Sequence, residues 1–192
     1  DEQVIVRVKS ENLFQYPTER MVANRATVCL RRLDAMVPTD AVCAARGIDA
    51  NTAVEAASSL TRLMASGTPT QADQAIFYSM ICRYDIVREL VLVEVGERLQ
   101  NFDYAFTAVD LNAFMTRFTT EYPDAARWTE ATVKRIKGSL RQTLRHAGLI
   151  GEGMGPESER LSPLFLDSDV ERALAQLGEQ SLIAALTGRV VM

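Results

Sequence analysis

Five cations fall within one short stretch of this 192-residue chain: Lys134, Arg135, Lys137, Arg141 and Arg145, all between Thr129 and Ile150, with Glu130 the only carboxylate there. Five cations against one acid give +4 on a chain of net charge −4, so the other residues sum to −8. Such a balance excludes a protein that is basic all over and points to a local patch for a polyanion, with phosphate as the natural target. At about 100° per residue, a helix gathers Lys134, Lys137, Arg141 and Arg145 into an arc of roughly 80°. Val133, Ile136, Leu140, Leu144 and Ala147 fall in a neighbouring arc, so the helix buries one stripe and displays the other. Gly138 lies in the basic arc, where a missing side chain lets a partner approach the backbone. Ser139, Gln142 and Thr143 add hydrogen-bonding groups suited to phosphates or bases.

Other chemistry finds little support. His146 is the single histidine, and its place at the end of the basic helix suits a charge at the negative dipole end better than a base or metal ligand. Cys29, Cys43 and Cys82 are widely spaced and odd in number, which predicts no zinc site and a reducing, cytoplasmic setting. Gly151, Gly153 and Gly155 look like half a phosphate loop. They follow a helix and lack the Lys-Ser/Thr pair, so they read as a loop tip. Asp85 with Arg83 or Arg88 reads as an internal ion pair. No nucleophile accompanies His146. The expectation is a protein that is not an enzyme, with no cofactor and no metal. A second basic group, Arg20, Arg25, Arg31 and Arg32 with Arg7 and Lys9 upstream, reads first as an ordinary exposed helix face. If functional, it extends a DNA track or meets a protein partner.

The elements that must position the basic helix are mostly helical. The stretch from Glu2 to Phe14 is helix or strand, with helix preferred. Thr18 caps a helix to about Ala35, with the stripe Met21, Val22, Ala26, Cys29, Leu30 and Leu33. One or two turns over 39–47 close at Gly47. A helix from Ala50 to Ala65 carries Val54, Ala57, Leu60 and Met64. Thr68-Pro69-Thr70-Gln71 is a capping box opening an apolar core helix to about Leu99, with a break near Arg83 to Asp85. Thr107 and Asp110 cap the helix of Leu111, Phe114, Met115, Phe118 and Tyr122, which Pro123 stops. Thr129 opens the basic helix, which ends at Ala147-Gly148. Leu149-Ile150 and Leu161 to Leu166 read as two strands around a Gly-containing loop, with Arg160 at the far side. Helical turns from Asp169 to Leu177 and from Ser181 to Leu186 close the chain.

Helix, short connection, basic helix and hairpin form the order of a winged helix-turn-helix, in which the basic helix enters the major groove. The fold class expected is mainly α, a multi-helix bundle with a winged helix-turn-helix-like portion and a small β-hairpin. The division expected is an N-terminal helical domain over 1–105, a winged-helix-like domain over 106–166, and a C-terminal helical segment over 167–192 packed on the rest. No apolar run reaches the roughly 18 residues of a membrane span. The chain opens on Asp1 without a signal-peptide pattern.

Asn12-Leu13-Phe14, the stretch from Thr18 to Arg32 with Leu33, the block from Gln74-Ala75-Ile76-Phe77 to Arg88-Glu89-Leu90, and Trp128 followed by Lys134 to Leu149 together resemble the BrxA family. The likeness covers roughly Glu11 to Leu166 and rests on the order and spacing of these blocks. The resemblance implies an accessory protein of bacterial BREX phage-defence loci. It also implies an all-helical body with winged-helix features, similar to transcription antitermination factors. It implies double-stranded DNA binding beside other BREX proteins such as the methyltransferase, and no enzymatic activity. DNA contact is expected at Lys134, Arg135, Lys137, Gly138, Arg141, Arg145 and Arg160. Two alternatives stay open: an adaptor whose basic face docks an acidic protein, and an RNA-binding factor.

Overall fold

The computed structural model describes residues 2–12, 14–151 and 159–189. Its elements are α1 (Glu2–Glu11), α2 (Glu19–Ala35), α3 (Asp40–Arg46), α4 (Ala50–Ser66), α5 (Pro69–Arg83), α6 (Asp85–Glu89), a π-helical segment (Leu90–Val95), α7 (Gly96–Gln100), α8 (Ala108–Glu121), a 3-10 turn (Ala125–Arg127), α9 (Glu130–His146), α10 (Ser168–Gln176) and α11 (Gln180–Thr187). The opening stretch is helical. Among the described residues, no helix is long and apolar enough to cross a membrane.

Local chemistry sets the helix starts. The hydroxyls of Thr18, Thr39, Thr68, Thr107 and Thr129 each accept a backbone N–H from the first turn that follows. Thr68 with Gln71 and Thr107 with Asp110 form complete capping boxes. The long apolar helix breaks at Tyr84, whose backbone is extended. The guanidinium groups of Arg32 and Arg83 lie 5.4 and 5.7 Å from its ring centroid, a cation–π setting that fixes the break.

The core joins α4, α5 and α10 to the π-helical segment, α7 and α11. On α4 the buried face is Ala53, Ala56, Ala57 and Leu60, while Val54 is 48% exposed. Of the expected stripe, Ala57 and Leu60 are buried and Met64 is half-buried against the core, and only Val54 faces out, because small alanines let α10 pack closely where a valine would hold it off. On α2, Met21 likewise faces out and Val22 and Ala26 face in. Gly96 is needed where it stands: a Cβ there would lie 2.7 Å from Ala185 Cβ.

A buried carboxylate locks the α10–α11 corner. Glu179 is held by both terminal nitrogens of Arg88 at 3.2 and 2.8 Å, and by Arg46 at 2.9 Å. Arg46 also donates to Leu177 O at 2.8 Å, and the Tyr78 hydroxyl to Glu179 at 3.4 Å. Burial pushes the neighbouring Cys82 thiol up to about 11, so it stays protonated and inert. Arg88 thus turns to Glu179, and the internal pair expected between Asp85 and Arg83 or Arg88 does not form, since Asp85 lies in water.

The expected β-hairpin is corrected. Among the described residues, antiparallel pairing is limited to two single bridges, Ile150 with Leu161 and Ala105 with Arg160. Gly151 N donates to Arg160 O and Ser162 N to Leu149 O, at 3.3 and 2.9 Å. Pro163 then has no N–H to give, and Leu164 N turns to Leu186 O at the end of α11. The second expected strand therefore leaves after Ser162. Residues 152–158, where a loop tip with Gly153 and Gly155 is expected, and Leu13 lie outside the described residues.

Candidate nucleic-acid interface

The basic helix is held at both ends. Trp128, just before the Thr129 cap, stacks on Phe118 with ring centroids 6.0 Å apart, and Phe118 stacks on Tyr122 at 4.1 Å. These rings fix the angle between α8 and α9. At the far end Gly148 takes φ +81°, Gly148 N donates to Arg145 O, and Leu149 N reaches back to Leu144 O. That double bond pattern is a Schellman stop, which needs a left-handed residue, and its two apolar partners Leu144 and Leu149 are fully buried. Leu140 and Leu144 seat α9 on the core, with Val133 and Ile136 half-buried beside them.

Upstream, Arg98 organises the approach to α8. It donates to Asp103 at 2.7 Å, Asp110 at 2.8 Å and Ala105 O at 3.0 Å. Burial works against the charge on Asp110. The Thr107 hydroxyl and amide, then Arg98, outweigh it and hold this carboxyl below the usual carboxylate range.

The cations of α9 divide into two sets. Lys134 and Arg135 are exposed, and Lys137, half-buried, donates to the neutral side chain of Asn112 on α8 at 2.7 Å. Among the described residues, no carboxylate pairs with Lys134, Arg135, Lys137 or Arg160. Arg141 and Arg145 instead share Glu159, whose side chain is 0% exposed; Arg145 remains 48% exposed. Adding Glu159 and Arg160 to the count leaves the patch at +4.

The sequence-expected residues are thus brought together in large part. Lys134, Lys137, Gly138, Arg141 and Arg145 lie along one edge of α9. Arg135 lies about 100° round the helix from Lys134, on the side of Gln142 and His146. A Cβ at Gly138 would meet nothing within 4 Å, so open space faces it. A depression of about 530 Å³ is lined by Gly138, Arg141, Gln142, Arg145, His146 and Ile150. Arg160 is exposed, adjoins Glu159 in sequence, and lines a separate depression with Phe102, Tyr104 and Thr107. Glu159 is the residue that sequence reading missed. The available signal was an acidic linker directly following a basic helix.

Among the described residues, no cluster of three or more His, Cys, Asp or Glu side chains is arranged to hold a metal. The arrangement instead offers a convex, hydrogen-bonding, cationic surface, the chemistry of phosphate recognition.

Residues 1–178 match the model of the BrxA family. Over 127 residues the chain is 21% identical to the BREX protein BrxA of Escherichia coli O9:H4 (strain HS), a stretch covering 66% of this chain and 58% of that protein. The matched part therefore spans little more than half of that relative's length. Because the family match runs across nearly all of its residues, the chain belongs to the BrxA family.

Proposed function

We propose that this chain is a non-enzymatic double-stranded DNA-binding accessory factor of a bacterial BREX phage-defence system. The observation that carries the reading is the set of cations on α9, Lys134 and Lys137 on its edge and Arg135 on the adjoining side, none paired with a carboxylate among the described residues. Element order supports it. A bridge at Ala105, then α8, α9, and the bridged pair Ile150 and Leu161 follow one another as the parts of a winged helix-turn-helix do. In that reading residues 106–166 form the DNA-binding portion, 1–105 the helical domain that carries it, and 167–192 a segment packed on both. The edge of α9 enters the major groove and contacts phosphate more than base edges, so sequence preference is weak. The family supports partners among other BREX proteins, such as the methyltransferase.

The test is binding of a short duplex across a salt series, for the parent and for Lys134→Glu/Lys137→Glu. Four phosphate contacts predict a log–log slope of about −4 for the parent and about −2 for the variant. The variant's affinity drops at least tenfold. Equal slopes and affinities reject the interface. Stronger binding of a structured RNA competitor, or co-purification with an acidic partner in place of duplex binding, rejects the DNA reading.

A further inference from the structure

The face of α9 away from Arg141 borders a second depression. It measures about 490 Å³ and lies between α2 and α9, with α5 as its floor. Arg25 and Arg32 form the α2 wall. Ser139, Gln142, Thr143 and His146 form the α9 wall, and Asp73, Ile76 and Met80 lie beneath. Arg25 and Arg32 are seven residues apart, two turns of helix, and so share one face of α2. Arg25 is exposed and, among the described residues, no carboxylate pairs with it. Arg32 is half-buried over Tyr84, and its Nε is a buried donor with no hydrogen-bond partner among the described residues.

Gln142 and His146 line both this groove and the depression beside Arg141 and Arg145. The two hollows therefore meet over α9, which stands as a ridge between them. A helix with its side chains is about 10–12 Å across, and the major groove about 12 Å wide. A helix seated there meets one sugar–phosphate backbone on each flank.

We propose that the α2–α9 groove holds a phosphate backbone of duplex DNA, with Arg25 its principal contact and Arg32 a deeper donor. The opposite backbone lies along the hollow of Arg141 and Arg145. The α2 arginines are then part of the binding surface rather than an ordinary solvated face, and Asp73 is a built-in repulsion that weakens the grip. This inference rests on the DNA reading of α9.

Three variants test it on one short duplex across salt: Arg25→Glu, Asp73→Asn and Lys134→Glu/Lys137→Glu, with Arg62→Ala, an exposed arginine on α4 that lines neither hollow, as a control. Urea unfolding midpoints check that each is folded. The expected result is a fivefold or greater loss for Arg25→Glu, with a slope shallower by about 1, and a severalfold gain for Asp73→Asn with a steeper slope. Arg62→Ala binds as the parent. If Arg25→Glu and Asp73→Asn bind like the parent while the α9 variant weakens, the groove proposal is overturned and the α9 reading stands. If none of the three alters duplex binding, both fall. A loss by Arg25→Glu confined to structured RNA also overturns it.

Discussion

Among the described residues, two buried glutamates are each gripped by a pair of arginines, in opposite settings. Glu179 lies at the α10–α11 corner with Arg46 and Arg88, whose side chains are 25% and 30% exposed. A main-chain carbonyl and a tyrosine hydroxyl join the same network. Glu159 lies beside α9 with Arg141 and Arg145, and Arg145 is half in water. Three further cations, Lys134, Arg135 and Lys137, which among the described residues have no carboxylate partner, stand on the same helix. The first triad closes on itself and ties three elements together. The second leaves a surplus of charge at the surface. Arginines alone do not mark a binding face; what surrounds their carboxylate does.

The largest expected effect breaks the first triad. Glu179→Ala strands two guanidinium groups that are about three-quarters removed from water, a loss on the order of 3 kcal/mol. The urea midpoint reads it, and duplex affinity of the folded protein stays at the parental value. A change under about 0.5 kcal/mol, or a loss of DNA affinity at unchanged stability, would erase the contrast between the triads.

Glu159→Gln is milder for stability and acts on function. The amide keeps a hydrogen-bond acceptor, and Arg145 is already well solvated, so the cost is about 1 kcal/mol. Removing the negative charge frees one cation's worth of attraction. The duplex salt slope then steepens by about 1 and affinity rises severalfold. An unchanged slope means the Glu159 triad is as closed as that of Glu179.

What the sequence made legible follows the same divide between near and far. The caps at Thr18, Thr68 and Thr107 were readable because each bond spans only two or three residues. The basic arc of α9 was readable because helix periodicity is local. The partners of the arginines were not: Glu159 sits 18 and 14 positions from Arg141 and Arg145, and Glu179 sits 91 from Arg88. The π-helical segment was hidden for a related reason. Leu90, Val91 and Val95 read as ordinary helix, and only their burial against α11 favours the wider turn. The second strand failed at Pro163, a signal that was present and outweighed by the apolar residues around it. The α2 groove needed α2, α5 and α9 together, and no single segment announces it.

The smallest expected effect is the most discriminating for α9. Gly138 sits inside a helix with open space before its Cα, so Gly138→Ala stabilises the helix by up to about 1 kcal/mol. On the Glu179 side of the molecule such a change would be simply favourable. On α9 the new methyl group stands where a phosphate or base edge must approach the backbone, so duplex affinity falls two- to fivefold while the urea midpoint rises. A rise in both would mean that the duplex never comes close to Gly138. Contact would then run through the long side chains of Lys134, Lys137 and Arg145, and α9 would rest on the duplex without entering its groove.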